Sequence, residues 1–148
     1  MSWQQYIKAT QELGFTKVAI IARANYQTLA SSSAQDIATA WKDGDKQINE
    51  NQELLDDWAD MKKNAFCFFG QKFNILSRFD EDAGYYGLVC AKGKEVCIAG
   101  QFKTIWFIAQ AVKKPAKAPK SDPGFAGAPK AYTEITKNIW DALAEGGV

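Results

Sequence analysis

Thr104-Ile-Trp-Phe-Ile-Ala-Gln110 places four large apolar side chains at consecutive positions, Ile105 to Ile108. In a strand, successive side chains point to opposite faces, so this run needs cover on both sides. Four more strand-length pieces precede it: Ala65-Phe-Cys-Phe-Phe69, Lys72-Phe-Asn-Ile-Leu-Ser-Arg-Phe79, Tyr85-Tyr-Gly-Leu-Val-Cys-Ala91 and Glu95-Val-Cys-Ile-Ala-Gly-Gln-Phe102. The joints between pieces, such as Gly70-Gln71 and Lys92-Gly93-Lys94, are too short for parallel crossovers, which predicts an antiparallel meander. Only helices from the flanking thirds of the chain are available to cover the faces, so the expectation is a layered α+β domain.

Working outward, Ser2 with Gln5 has the form of a capping box, and Gly14 is placed to end a helix over about Trp3 to Leu13. Lys17 to Ile21 and Tyr26 to Ala30 read as two more strands, making about seven in all. Ser33 with Asp36 signals a second helix, carrying Ile37, Ala40 and Trp41, and a third carries Leu54, Leu55, Trp58 and Met61. A last helix is expected from Pro129 to Glu145. Its inward stripe is Tyr132, Ile135, Ile139 and Leu143, with Trp140 beside it. Terminal helices on one face of the sheet and the two inner helices on the other satisfy both faces.

The 148 residues fit one domain, 1–148, with a single core. The chain has 18 basic and 17 acidic residues, so there is no general attraction to nucleic acid. No apolar run is long enough to span a bilayer and no leader pattern opens the chain, from which a soluble cytoplasmic protein is expected. The count of histidines is 0, which excludes His-based triads, dyads and metal sites. Cys67, Cys90 and Cys97 all fall in expected strands, as small buried hydrophobes do. Asp43-Gly-Asp-Lys-Gln-Ile-Asn-Glu-Asn51 is not a calcium loop, because Ile48 stands where Gly is needed and Leu54 where a bidentate Glu belongs. Neither a nucleotide loop nor a metal spacing occurs, so a binding protein without cofactor is expected rather than an enzyme. Lys113, Lys114, Lys117, Lys120 and Lys130, interleaved with Pro115, Pro119, Pro123 and Pro129, read as a long mobile loop over 113–130.

Met1-Ser-Trp-Gln-Gln-Tyr6, then Ala19-Ile-Ile21, Leu29-Ala-Ser31, Gly70-Gln-Lys-Phe73, Tyr86-Gly87 and Lys103-Thr-Ile105 fall in the order and near the spacing of the profilin family. The chain resembles a divergent profilin of archaeal type along most of its length, with Lys42 to Asn51 and much of Lys113 to Ala128 as insertions. The resemblance implies a protein that binds monomeric actin, accelerates its nucleotide exchange and responds to proline-rich ligands and phosphoinositides. By position it places actin contacts at Tyr86, Lys103, Lys130, Thr133 and Lys137. It points to Trp3 and Tyr6 for a proline-ligand groove. Leu29 stands at that groove's further Trp position, and Ala142 and Val148 stand at its terminal aromatic positions, so weak or absent polyproline binding is expected unless Trp140 compensates. Leu88 and Gly100 replace basic residues of the actin side. Implied phosphoinositide regulation and local charge together make Lys113, Lys114, Lys117 and Lys120 the candidate lipid contacts. Outside this family, a small-molecule-sensing or dimerising α/β module has the same layered shape, and an enzyme using carboxylates or a thiol is the remaining class.

Overall fold

The computed structural model describes residues 2–25, 27–33, 40–60, 62–80, 84–93, 95–111 and 129–148. Its order is α1 (Trp3–Glu12), β1 (Lys17–Ala22), β2 (Thr28–Ser31), β3 (Trp41–Asp43), β4 (Lys46–Ile48), α2 (Glu50–Asp57), β5 (Ala65–Phe68), β6 (Gln71–Asp80), β7 (Tyr86–Lys92), β8 (Glu95–Gln101), β9 (Ile105–Ala111) and α3 (Pro129–Glu145). Seven strands form one antiparallel sheet in the order β2-β1-β9-β8-β7-β6-β5. The meander expected from residues 65–111 is its continuous part. The first strand joins β9 from the far side, with Ala19 opposite Ile108 and Ile21 opposite Trp106.

Both faces are covered, as the unbroken apolar runs require. On one face Ile7, Phe15, Val18, Ile20, Ile98, Phe107, Trp140 and Leu143 form a core between the sheet and the terminal helices. On the other, Leu54 and Trp58 pack with Ala19, Phe66, Phe73, Leu88, Trp106 and Ile108. Strand β9 feeds both cores in alternation and all seven of its residues are buried. The helix α1 begins with the expected capping box: the Ser2 hydroxyl accepts from Gln5 N–H, and the Gln5 side chain accepts from Ser2 N–H at 2.7 Å. α3 has the bounds that the sequence predicts.

The second expected helix is corrected in part. Its core residues 34–39 lie outside the described residues, but Trp41, assigned to it from sequence, opens β3. That strand pairs with β4 as a separate hairpin, Trp41 opposite Ile48, turning at Gly44-Asp45. The calcium-like acidic run is therefore a hairpin and the N-cap of α2. Among the described residues, one helix, α2, packs on this face of the sheet. Of the loop expected over 113–130, residues 113–128 lie outside the described residues and Pro129 and Lys130 open α3; Tyr26 and Met61 also lie outside them.

Trp140 is also corrected. Rather than lying beside the inward stripe, it is buried to 1 % exposure, and with Thr136 and Leu143 it forms the buried line of α3 while Ile139 is half-buried. Its ring packs edge-on against Tyr85, Phe102 and Phe107 at centroid distances of 5.6 to 5.9 Å. Gly100 makes room for it: a Cβ there would stand 2.7 Å from the ring. Glycine at this point of β8 is a packing requirement.

Candidate functional site

Register places Tyr86 opposite Asp80 and Gln101, at the end of the sheet where β8 turns into β9. Lys103 lies in that turn and is exposed. The turn is tied down from two directions. Arg23 donates to the carbonyls of Phe102 at 2.6 Å and Lys103 at 3.1 Å while its guanidinium lies 5.7 Å from the Trp106 ring centre. Lys103 N–H in turn donates to the Val148 carbonyl at 2.9 Å, joining the chain terminus to this end of the sheet.

Tyr86 is half-buried and meets Trp58 edge-on, with ring centroids 6.2 Å apart. The preceding Tyr85 points to the other face, where its hydroxyl donates to Asp141 at 3.0 Å. Asp141 also pairs with Lys137 at 3.1 Å, one helical turn away. Tyr85 and Tyr86, at the start of β7, therefore link the α2 side to α3. The structure brings three of the five expected contacts, Tyr86, Lys103 and Lys137, to one end of the sheet. Lys130 and Thr133 belong to the first turns of α3, and their side chains are outside the described residues.

On the terminal-helix surface, Trp3 and Tyr6 pack with ring centroids 6.3 Å apart, each half-buried against the core. Trp140 does not join them at the surface; its enclosed ring has no face open to a ligand. Leu29 is the extra residue of a bulge, since Ala30 opposes Ile20 and Thr28 opposes Ile21, and it is 42 % exposed. Lys113, Lys114, Lys117 and Lys120 are outside the described residues.

Burial pushes the Cys67 thiol up to about 11 and Cys90 up to about 12, and Cys97 well above its ordinary value, so the thiolate nucleophile is suppressed. Among the described residues, Glu50 is the carboxyl whose shift resembles a general base, raised to about 7 by burial. However, its Oε2 accepts from Trp41 Nε1 at 3.0 Å and Gly70 N–H at 2.7 Å, and the cavity beside it has about 10 Å³, space for one water. Glu50 is a clasp between hairpin, helix and sheet. Sequence reasoning missed it because a Glu in a helix's first turn ordinarily faces solvent.

The sequence matches the family model described as Profilin over residues 1–145. No curated protein sequence matches it. Among solved structures it resembles the profilin of Schizosaccharomyces pombe, with a TM-score of 0.63, 18 % identity and coverage of 99 % of this chain and 100 % of that one. Acanthamoeba castellanii profilin IA gives 0.66 at 16 % identity with the same coverage. LokiProfilin1, solved in complex with rabbit actin, gives 0.50 at 13 % identity, covering 92 % of this chain and 95 % of that one.

Proposed function

Because the chain belongs to the profilin family, we propose that it binds monomeric actin and regulates its polymerisation and nucleotide exchange, without catalysis of its own. The match to the family along nearly the whole chain carries this reading. It is supported by the complex of LokiProfilin1 with rabbit actin, a protein of the same fold. The contact face is the end of the sheet bearing Tyr86 and Lys103, continued onto α3 through Lys137, Thr133 and Lys130. Lys103 is exposed and Lys137 keeps 49 % of its side chain in solvent, so both reach an acidic partner without disturbing the core. Because Lys137 shares its charge with Asp141, the larger electrostatic contribution falls to Lys103.

Proline-rich ligands bind weakly or not at all, since Trp3 and Tyr6 form one side of a groove and a rigid proline helix needs rings on several. Phosphoinositide control runs through Lys113, Lys114, Lys117 and Lys120. At about 1 kcal/mol per basic residue near an anionic surface, they give weak, reversible attachment. Liposome flotation with these four changed to Gln tests that part; flotation equal to wild type rejects it.

The actin reading is tested by assembly of pyrene-labelled actin. The wild-type chain slows spontaneous assembly, and a variant carrying Lys103→Glu and Lys137→Glu loses most of that effect, in a salt-dependent way. Unchanged inhibition by the variant rejects this face. No effect of the wild type at large molar excess rejects actin as the partner.

A further inference from the structure

The β3–β4 hairpin stands beside β5, the edge strand of the sheet, and between them lies a cavity of about 130 Å³. It is at the far end of the sheet from Tyr86 and Lys103, since β6 runs from Lys72 at this cavity to Asp80 opposite Tyr86. Three ammonium groups from three different segments line it: Lys46 of β4, Lys63 before β5 and Lys72 of β6. Two carboxylates, Asp43 and Glu53, share the lining, leaving an excess of one positive charge.

Of these carboxylates, Glu53 is already engaged. Glu53 Oε1 accepts from Cys67 N–H at 3.0 Å and lies 3.8 Å from Lys63, which also pairs with Asp57 at 3.0 Å. Asp43 faces Lys46 directly across the hairpin. Lys72, exposed on β6, makes no ion pair among the described residues.

The edge strand adds a directed donor. Ile75 N–H bonds the Asn64 carbonyl, so bonded pairs alternate along β5–β6 and the amides of Ala65 and Cys67 turn away from β6. Glu53 takes the Cys67 amide. Ala65 also lines the cavity, is 8 % exposed, and its amide has no acceptor among the described residues. An amide directed away from β6 at the cavity wall is placed to donate to an oxyanion.

We propose that this cavity binds a phosphate group, as inorganic phosphate or a small phosphate monoester, held by Lys46, Lys72 and the Ala65 amide with Lys63 behind them. Donors arriving from the hairpin, the edge strand and β6 surround a tetrahedral anion better than a planar carboxylate. The site depends on the β3–β4 hairpin, which supplies one wall. It is independent of the actin reading.

The test is a titration of the full chain, labelled with nitrogen-15, with inorganic phosphate, methyl phosphate or acetate in chloride buffer of matched ionic strength. Inorganic phosphate or methyl phosphate is expected to shift the Ala65 amide saturably. Acetate binds at least tenfold more weakly, and so does phosphate to the chain carrying Lys46→Gln and Lys72→Gln. Lys92→Gln, outside the lining, leaves the affinity unchanged. A linear, unsaturated shift, equal affinity in the double variant, or acetate binding as tightly as phosphate overturns the proposal. Because both changed lysines are exposed, an unchanged melting temperature without phosphate separates lost binding from lost fold.

Discussion

Gly100 and Trp140 form the most exacting contact of the core. A methyl group on Gly100 would stand 2.7 Å from a ring that Tyr85, Phe102 and Phe107 prevent from moving aside. Gly100→Ala is therefore expected to cost about 1–3 kcal/mol, read as a lower urea midpoint with unchanged slope. Trp140→Leu should cost less in that background than in the wild type, because removing the ring there also relieves the clash. Equal costs in both backgrounds would mean that the two residues do not share the strain. Glu50 gives a pH signature. Its carboxyl is raised from 4.5 to about 7, so between those values the folded chain holds a proton that the unfolded chain has released. Stability from this group is thus full below about pH 4.5, falls as pH rises through the window and levels above about 7. The span is at most about 3 kcal/mol, at 1.36 kcal/mol per unit. Unfolding free energies of wild type minus Glu50→Gln should decline across this window; a flat difference would contradict the clasp. Neither feature was legible in the sequence. Gly100 resembled a lost basic residue, and Glu50 was one member of the rejected calcium-like run. Each acquires its meaning from a residue distant in the chain, Trp140 in one case and Trp41 with Gly70 in the other.

At the scale of elements, local signals carried the assignment wherever they agreed with burial. The capping box of α1, the strands of residues 65–111 and the bounds of α3 were readable because period, caps and turns coincide there. Trp41 was misread because an apolar residue four after Ile37 fits a helical stripe, whereas pairing with Ile48 and the bond to Glu50 hold it in a strand. In α3 Leu143 and Ile139 face the core as expected, and Trp140 joins them at its centre because so large a ring gains most from burial. The Phe69-Gly70 turn has φ of 52° and 76°, the left-handed pair that a two-residue hairpin demands, and Glu50 fastens it through the Gly70 amide. At the other end of the chain, α1 covers the sheet through Ile7 and Thr10 and is started by Ser2. Ser2→Ala should lower stability by about 1 kcal/mol in thermal unfolding. Deleting residues 1–13 should expose the sheet at β1 and β2 and cause aggregation in light scattering. A truncated chain that stays monomeric with an unchanged melting temperature would refute this layering.

At the scale of the whole molecule, a nearly neutral chain with cores on both faces of one sheet leaves its specificity to its ends and edges. The terminal-helix surface offers two rings, so retention on a proline-decamer column should be weak. Tight retention would show that Trp3 and Tyr6 suffice. The family was legible from the joint order of short motifs spread along the chain. The contact residues were legible only by position, because exposed side chains obey no packing pattern that a sequence displays. The most direct measurement is sedimentation velocity of monomeric actin mixed with the full chain at low salt. A one-to-one complex, weakening as salt is raised, is the predicted result; independent sedimentation of the two proteins at every ratio would contradict actin binding.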